Sequence, residues 1–190
     1  MMAAEIQLKK IAVIGAGTMG SGIAAQIANA GLDVLLLDLA AKNENEISPA
    51  EAAIERLIKS DPPQLVSKNV SKLIKTGTIE SDFDNLKDYD WIIEAVVERL
   101  DIKKSLYSRL DKIIKGKCIV TSNTSSIPIT VLMEEMSVTF QQRFAITHYF
   151  NPVRYMRLLE VVVGVHTRQD IVDALADFND ETLGKGVVRC

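Results

Sequence analysis

The stretch KIAVIGAGTMG, residues 10–20, decides the fold. Its first half is a short apolar run, typical of a strand that is buried on both faces of a parallel sheet. Its second half fits the pattern G-x-G-x-x-G: Gly15 makes a tight turn, Gly17 lets the backbone approach a pyrophosphate, and Gly20 lets a helix pack closely on the strand. Since such patterns also arise by chance, the flanking sequence has to support the interpretation.

The flanking sequence gives that support. Small apolar residues at 21–30 predict a helix, and the amides at its start would face the phosphates where the helix dipole favours negative charge. Thr18 and Met19, in the turn that leads into this helix, are also predicted to contact the dinucleotide. Residues 34–37 predict a second strand, which ends at Asp38. A carboxylate at this place accepts hydrogen bonds from ribose and repels a 2′-phosphate, which favours NAD over NADP. The alternative is a structural glycine turn with Asp38 as a loop cap.

The rest of the chain alternates between apolar runs and helical periodicity. Further strands are predicted at residues 91–97, 118–121, 143–149, 158–163 and from 187, with helices at 50–59, 100–114, 129–136 and 168–183. Residues 65–75 indicate a helix, or a helix followed by a loop. This alternation predicts an α/β fold of the doubly wound Rossmann type with a mostly parallel sheet.

Composition excludes several classes of protein. The 190 residues suit one compact domain, and 22 Lys and Arg against 25 Asp and Glu leave no basic excess for nucleic acid. Two Cys and two His are too few for a metal cluster, so no metal site is expected. Residues 11–37 are apolar enough that a membrane-spanning helix has to be considered, but their glycines and polar side chains argue against it. We therefore expect a cytoplasmic protein.

A histidine and a glutamate on neighbouring predicted strands are candidates for catalysis. Glu160 interrupts the apolar run 158–163, and a buried carboxylate is unfavourable unless it is paired. His148 would be a suitable partner, since Glu160 could fix its tautomer and stabilise the imidazolium. The alternative is a core histidine whose hydrogen bonds are satisfied, with an unrelated glutamate.

Polar residues follow two other predicted strands, at the edge where ligands bind in parallel sheets. The run 122–126, SNTSS, follows one strand, and Glu94 and Glu98 flank the end of another. The hydroxyl run could equally cap a helix. Lys103 could approach a phosphate or a ribose, although a solvated helix face is the commoner role of a lysine.

Taken together, the blocks 15–24, 94–98, 122–126, 148–152 and 159–162 resemble the NAD-binding domain of the L-3-hydroxyacyl-CoA dehydrogenases of fatty-acid β-oxidation. The resemblance implies NAD-dependent oxidation of the 3-hydroxyl of an acyl-CoA substrate to a 3-ketoacyl-CoA. Residues 151–155 and 183–188 are most similar to the large bacterial forms, which carry an enoyl-CoA hydratase region after the dehydrogenase.

The resemblance also implies roles for single residues. His148 would be the base that takes the hydroxyl proton, Glu160 would orient it, and Ser125 would hydrogen-bond the substrate oxygen beside the nicotinamide. Contacts to NAD are implied for four further side chains, namely Asp38, Glu98, Lys103 and Asn151.

In that family a helical second domain closes the cleft, supplies an asparagine that polarises the substrate and carries the dimer contacts. We expect residues 1–190 to be the dinucleotide-binding domain, a fragment that stops before this helical domain. Weak or no turnover is expected of the fragment alone, and a homo-oligomer of the full-length protein. Two alternatives stay open, a non-catalytic NAD-binding module and a dehydrogenase of a free short hydroxy acid.

Overall fold

A computed structural model describes residues 6–43, 45–114 and 116–190. Its centre is one eight-stranded sheet with the order β3-β2-β1-β4-β5-β6-β7-β8. The strands are β1 (Ile11–Ile14), β2 (Val34–Asp38), β3 (Ile74–Thr78), β4 (Trp91–Glu94), β5 (Ile119–Ser122), β6 (Phe144–Tyr149), β7 (Leu158–Val163) and β8 (Gly186–Arg189). This sheet confirms the predicted α/β class.

The strand directions define a ligand-facing edge. Strands β1 to β6 are parallel, so their carboxyl ends meet at one edge, whereas β7 pairs antiparallel with β6 and parallel with β8. After β3 the chain crosses to the other side of β1, which makes the β1–β4 boundary a topological switch point. In open α/β sheets, ligands bind in the crevice outside the strand ends at such a point.

Helices cover both faces of this sheet. They are α1 (Thr18–Asn29), α2 (Pro49–Lys59), α3 (Ile79–Asp82), α4 (Leu100–Ile113), α5 (Ile129–Met133), α6 (Val138–Gln141) and α7 (Gln169–Asp177), with 3₁₀ turns at Lys68–Leu73 and Phe83–Asp88 and a π-helical turn at Phe178–Thr182. Helices α1, α2 and α7 share one apolar core, and α4, α5 and α6 share the other. Among the described residues, no helix has both the length and the apolar character needed to cross a membrane.

The central strand shows why both faces need helices. Ile11 and Val13 of β1 are buried in the core beneath α1, while Ala12 and Ile14 are buried in the opposite core. Successive side chains of a strand point to opposite faces, so an apolar run without polar interruption is buried on both sides. The apolar composition of residues 11–14 therefore requires helices on both faces of the sheet.

Some predicted elements differ from the observed ones. Residues 74–78 form a strand, β3, which was not predicted and whose first two residues end the stretch 65–75, predicted as a helix or a helix followed by a loop. The strand was missed because its pairing with β2 is a long-range interaction. The predicted strand 91–97 ends at Glu94. The predicted helix 129–136 stops at Met133 and a separate helix, α6, follows it, with Ser137 capping the amide of Phe140.

The glycine turn is packed too tightly for side chains at two of its three glycines. Gly15 has a φ of +105°, and a Cβ there would lie 2.5 Å from the carbonyl oxygen of Ala95. A Cβ on Gly20 would lie 1.7 Å from the carbonyl oxygen of Gly15, where α1 crosses the turn. Around Gly17, by contrast, a Cβ would meet no described atom within 4 Å.

The substitution Gly20→Ala tests this packing. We expect it to lower the free energy of unfolding by about 3 kcal/mol, because the turn and α1 must move apart. Gly17→Ala is the matched control and should change it by less than about 0.5 kcal/mol. Urea denaturation of both variants measures this difference, and equal stabilities would contradict the packing analysis.

Candidate active site

A cavity of ≈ 350 Å³ lies at the switch point. The turn after β1, the segment after β4, the loop after β5 and the end of β6 form its walls. Its lining residues are Met19, Ala95, Val96, Glu98, Asn123, Ser125, His148, Tyr149, Phe150 and Asn151. The structure thus places five predicted site residues in the walls of one cavity: Met19, Glu98, Ser125, His148 and Asn151.

The predicted pair of His148 and Glu160 is formed at this cavity. Nδ1 of the imidazole lies 2.9 Å from Oε2 of the carboxylate. The antiparallel register of β6 and β7 places the two residues directly opposite each other. The ring of Phe150 also packs against the imidazole, with 4.4 Å between centroids. The imidazole is therefore fixed by a hydrogen bond and by a neighbouring ring.

A second cavity, of ≈ 210 Å³, meets the first one at two residues. Ser125 and His148 line both cavities, so they form the wall between them. Half of the residues lining the second cavity are polar, namely Thr124, Ser125, Ser126, His148 and Glu160, and half are apolar, namely Ile127, Pro128, Ile129, Ile146 and Val162. Two ligands could therefore approach the same imidazole from two sides.

Glu98 holds the loop that carries Ser125. Its Oε1 accepts hydrogen bonds from the hydroxyls of Thr124 and Ser126, the two neighbours of Ser125. Partial burial acts to raise the pKa of Glu98, but the Thr124 hydrogen bond and the Lys103 charge outweigh it, so the pKa lies below its ordinary value. An ionised Glu98 thus clamps Ser125 from both sides.

Beneath the clamp lies a buried charged network around Glu94. Its carboxylate is fully buried and accepts hydrogen bonds from Lys103 Nζ at 2.6 Å, Ser122 Oγ at 2.7 Å, the hydroxyl of Tyr107 and the amide of Val96. Burial, followed by the charge of Glu94, raises the pKa of Tyr107 well above its ordinary value. Lys103 also contacts Oε2 of Glu98 at 3.2 Å and so links the network to the clamp.

The network corrects two interpretations of the sequence. Lys103 is 1% exposed and does not lie on a solvated helix face. Glu94 points into the protein and does not line the ligand cavity. Tyr107 was not predicted to belong to the site, and no motif pointed to it. Within the run 122–126, Thr124 and Ser126 bind Glu98, and Ser122 binds Glu94.

Asp38 lies beside the glycine turn, as predicted. Its carboxylate accepts the amide of Ala16 at 2.5 Å and that of Leu39 at 2.7 Å. These bonds are those of the loop-cap alternative, and a contact of Asp38 with ribose stays a prediction. Arg56 of α2, which the motifs did not reveal, donates from Nη2 to the carbonyl of Ala16 at 3.0 Å.

The glycine turn fits a dinucleotide. The open space at Gly17 and the start of α1 directly after it are the features that a pyrophosphate requires. Thr18 and Met19 form the first turn of that helix, and Met19 also lines the larger cavity. A dinucleotide on the turn would therefore extend toward Ser125 and His148.

Glu94→Gln tests the energetic importance of the buried network. We expect a loss of about 3–5 kcal/mol in the free energy of unfolding, because Lys103 keeps its charge and loses its closer anionic partner. The control Glu134→Gln removes one of the two exposed carboxylates that contact Lys104 and should cost less than about 1 kcal/mol. Guanidinium denaturation separates the two, and a loss under 1 kcal/mol for Glu94→Gln would contradict this account.

Known proteins resemble the chain over nearly its whole length. The family model of the 3-hydroxyacyl-CoA dehydrogenase NAD-binding domain matches residues 10–190. A probable 3-hydroxyacyl-CoA dehydrogenase of Deinococcus radiodurans is 44% identical over 184 residues, which are 96% of this chain and 53% of the relative. The mitochondrial hydroxyacyl-coenzyme A dehydrogenase of Sus scrofa is 37% identical, over 99% of this chain and 60% of its own length.

Solved structures agree. The 3-hydroxybutyryl-CoA dehydrogenase of Escherichia coli K12 has a TM-score of 0.83 at 33% identity, over 97% of this chain and 38% of that one. The 3-hydroxyacyl-CoA dehydrogenase of Archaeoglobus fulgidus has a TM-score of 0.78 at 31% identity, over 97% and 56%. The chain thus spans about half the length of such relatives. It belongs to the family of the NAD-binding domains of 3-hydroxyacyl-CoA dehydrogenases, and its cofactor is NAD.

Proposed function

We propose that the protein acts in the NAD-dependent oxidation of the 3-hydroxyl of L-3-hydroxyacyl-CoA to 3-ketoacyl-CoA in fatty-acid β-oxidation. The observation that carries this proposal is the pair of His148 and Glu160, 2.9 Å apart, whose histidine lies in the wall shared by two cavities. One cavity continues from the glycine turn, and the other has five apolar side chains in its lining. This arrangement suits a cofactor on one side of the imidazole and an acyl substrate on the other.

In this proposal His148 is the general base. A neutral imidazole that donates Nδ1–H to Glu160 has its lone pair on Nε2, which can take the proton of the 3-hydroxyl. Glu160 fixes this tautomer and stabilises the imidazolium that forms. When NAD is bound, its nicotinamide supplies the acceptor for the hydride that leaves C3.

The remaining site residues hold the reactants. Ser125 would donate a hydrogen bond to the substrate oxygen, since the Glu98 clamp keeps it in the wall between the cavities. Glu98 and Asn151 would contact NAD, because both line the larger cavity. Lys103 would be a further contact to NAD beside them, although its ammonium already binds Glu94 and Glu98.

Several broader features of the proposal come from the relatives. Their names indicate an acyl-CoA substrate, and a putative fatty acid oxidation complex trifunctional enzyme of Rickettsia felis is 40% identical over 26% of its length. We propose that full activity needs the part of such relatives that this chain does not match. A homo-oligomer and a cytoplasmic location belong to the same proposal.

Asp38→Arg tests cofactor discrimination. We expect the unmodified chain to bind NADH more tightly than NADPH, because the Asp38 carboxylate repels a 2′-phosphate. The variant should narrow or reverse this preference, as measured by nucleotide fluorescence titration. Asp33→Arg makes the same charge change at an exposed position before β2 and should leave the preference unaltered. Equal affinity of the unmodified chain for NADH and NADPH would count against the role of Asp38.

His148→Gln tests the general base. The chain is used in excess over acetoacetyl-CoA and NADH, so that even the weak activity expected of residues 1–190 alone is measured as a single loss of NADH absorbance. The variant should react about 10²–10⁴-fold more slowly, because the proton transfer is lost, while NADH binds with unchanged affinity. The control His166→Gln changes an exposed histidine and should react like the unmodified chain.

Two results would overturn the proposal. An unchanged rate in His148→Gln would leave the pair of His148 and Glu160 as a structural feature of a non-catalytic NAD-binding module. Turnover of free acetoacetate that coenzyme A does not inhibit would indicate a dehydrogenase of a short hydroxy acid instead.

A further inference from the structure

A buried lysine lies outside the site described so far. Lys185, directly before β8, is 2% exposed. Within the described residues, no carboxylate lies at ion-pair distance from its ammonium. Burial lowers its pKa to about 8. A buried cation that no acid neutralises is unfavourable unless its donors are satisfied in another way.

Main-chain carbonyls satisfy these donors. Nζ of Lys185 donates to the carbonyl oxygen of Val153 and, at 3.0 Å, to that of Met156. The next amide, of Gly186, donates to the carbonyl of Arg157 at 2.8 Å. All three carbonyls belong to residues 151–157, the turn that leads from β6 to β7. One short segment, 185–186, therefore binds this turn through three hydrogen bonds.

This turn connects β6, which carries His148, to β7, which carries Glu160. Asn151 at its start lines the larger cavity, while Glu160 follows soon after it on β7. Val153 packs against α1, since a Cβ on Gly22 would lie 3.0 Å from Cγ2 of Val153. Helix α1 begins at the glycine turn. Val153 therefore connects this turn to β6 and β7, the strands that carry His148 and Glu160.

A second bond secures the same junction. Nε2 of Gln26, on α1, donates to the carbonyl of Leu183 at 2.8 Å, two residues before Lys185. The segment 183–186 thus contacts α1 and the turn together. Because an ammonium has three donors and its bonds to carbonyls are charge-assisted, it can fix several peptide groups at once.

We propose that Lys185 is a positioning residue of the cofactor site: it fixes the turn 151–157 against α1, so that Phe150 and Asn151 keep their places in the cavity wall. The proposal rests on the proposed function, in which this wall faces the nicotinamide half of NAD. Lys185 itself does not line the cavity, so it acts only through the turn.

Lys185→Met tests this role with two ligands. NADH reaches the wall at Asn151, whereas ADP carries only the adenosine and phosphate half, which binds at the glycine turn. We expect Lys185→Met to weaken NADH about tenfold and to leave ADP unchanged, because a displaced turn affects only the distal half. Lys112→Met removes an exposed lysine and is the matched control. Calorimetric titration of the 190-residue chain gives all these affinities.

The outcomes separate this inference from the proposed function. Equal losses for NADH and ADP, or no loss, would overturn the role of Lys185. Failure of the unmodified chain to bind NADH would overturn the proposed function instead. If Lys185→Met does not fold, Gly22→Ala tests the position of the turn instead, since the added Cβ on α1 would displace Val153. A loss of affinity for NADH alone supports the proposal, and an unchanged affinity for NADH overturns it.

Discussion

The Glu94 carboxylate, buried without access to water, is the interaction on which the ligand-facing edge depends. A buried anion must be surrounded by donors, and here the donors come from α4, from the end of β5 and from the segment after β4. These are the elements that carry Glu98 and the Ser125 loop. The same electrostatic requirement therefore brings together segments that are distant in sequence, before any ligand binds.

The second constraint is the reversal of chain direction between β6 and β7. An antiparallel pair places residues directly opposite each other in a fixed register, here His148 and Glu160. A slip by one residue would turn Glu160 to the other face of the sheet, where the core beneath α7 is apolar. The turn that makes the reversal is held at Val153 and Met156, so register and cavity wall depend on the same segment.

The sequence predicts most of the fold and the composition of the site, but few of its contacts. The βαβ unit was confirmed because its signals are local: an apolar run, a glycine turn and a second run ending at Asp38. Strand β3 was missed because IKTGT has little apolar character and is defined by its pairing with β2. The burial of Lys103 could not be predicted either, since it depends on Glu94, a partner on another element.

The pair of His148 and Glu160 is not sealed from solvent: 20% of the histidine side chain and 37% of the glutamate side chain are exposed. A base that gains one proton in each turnover has to release it before the next. In the proposed function, with His148 as the base, exposure of both partners gives this proton a direct exit to bulk water and to dissolved buffer. Recycling of the enzyme between turnovers would then need no internal proton wire.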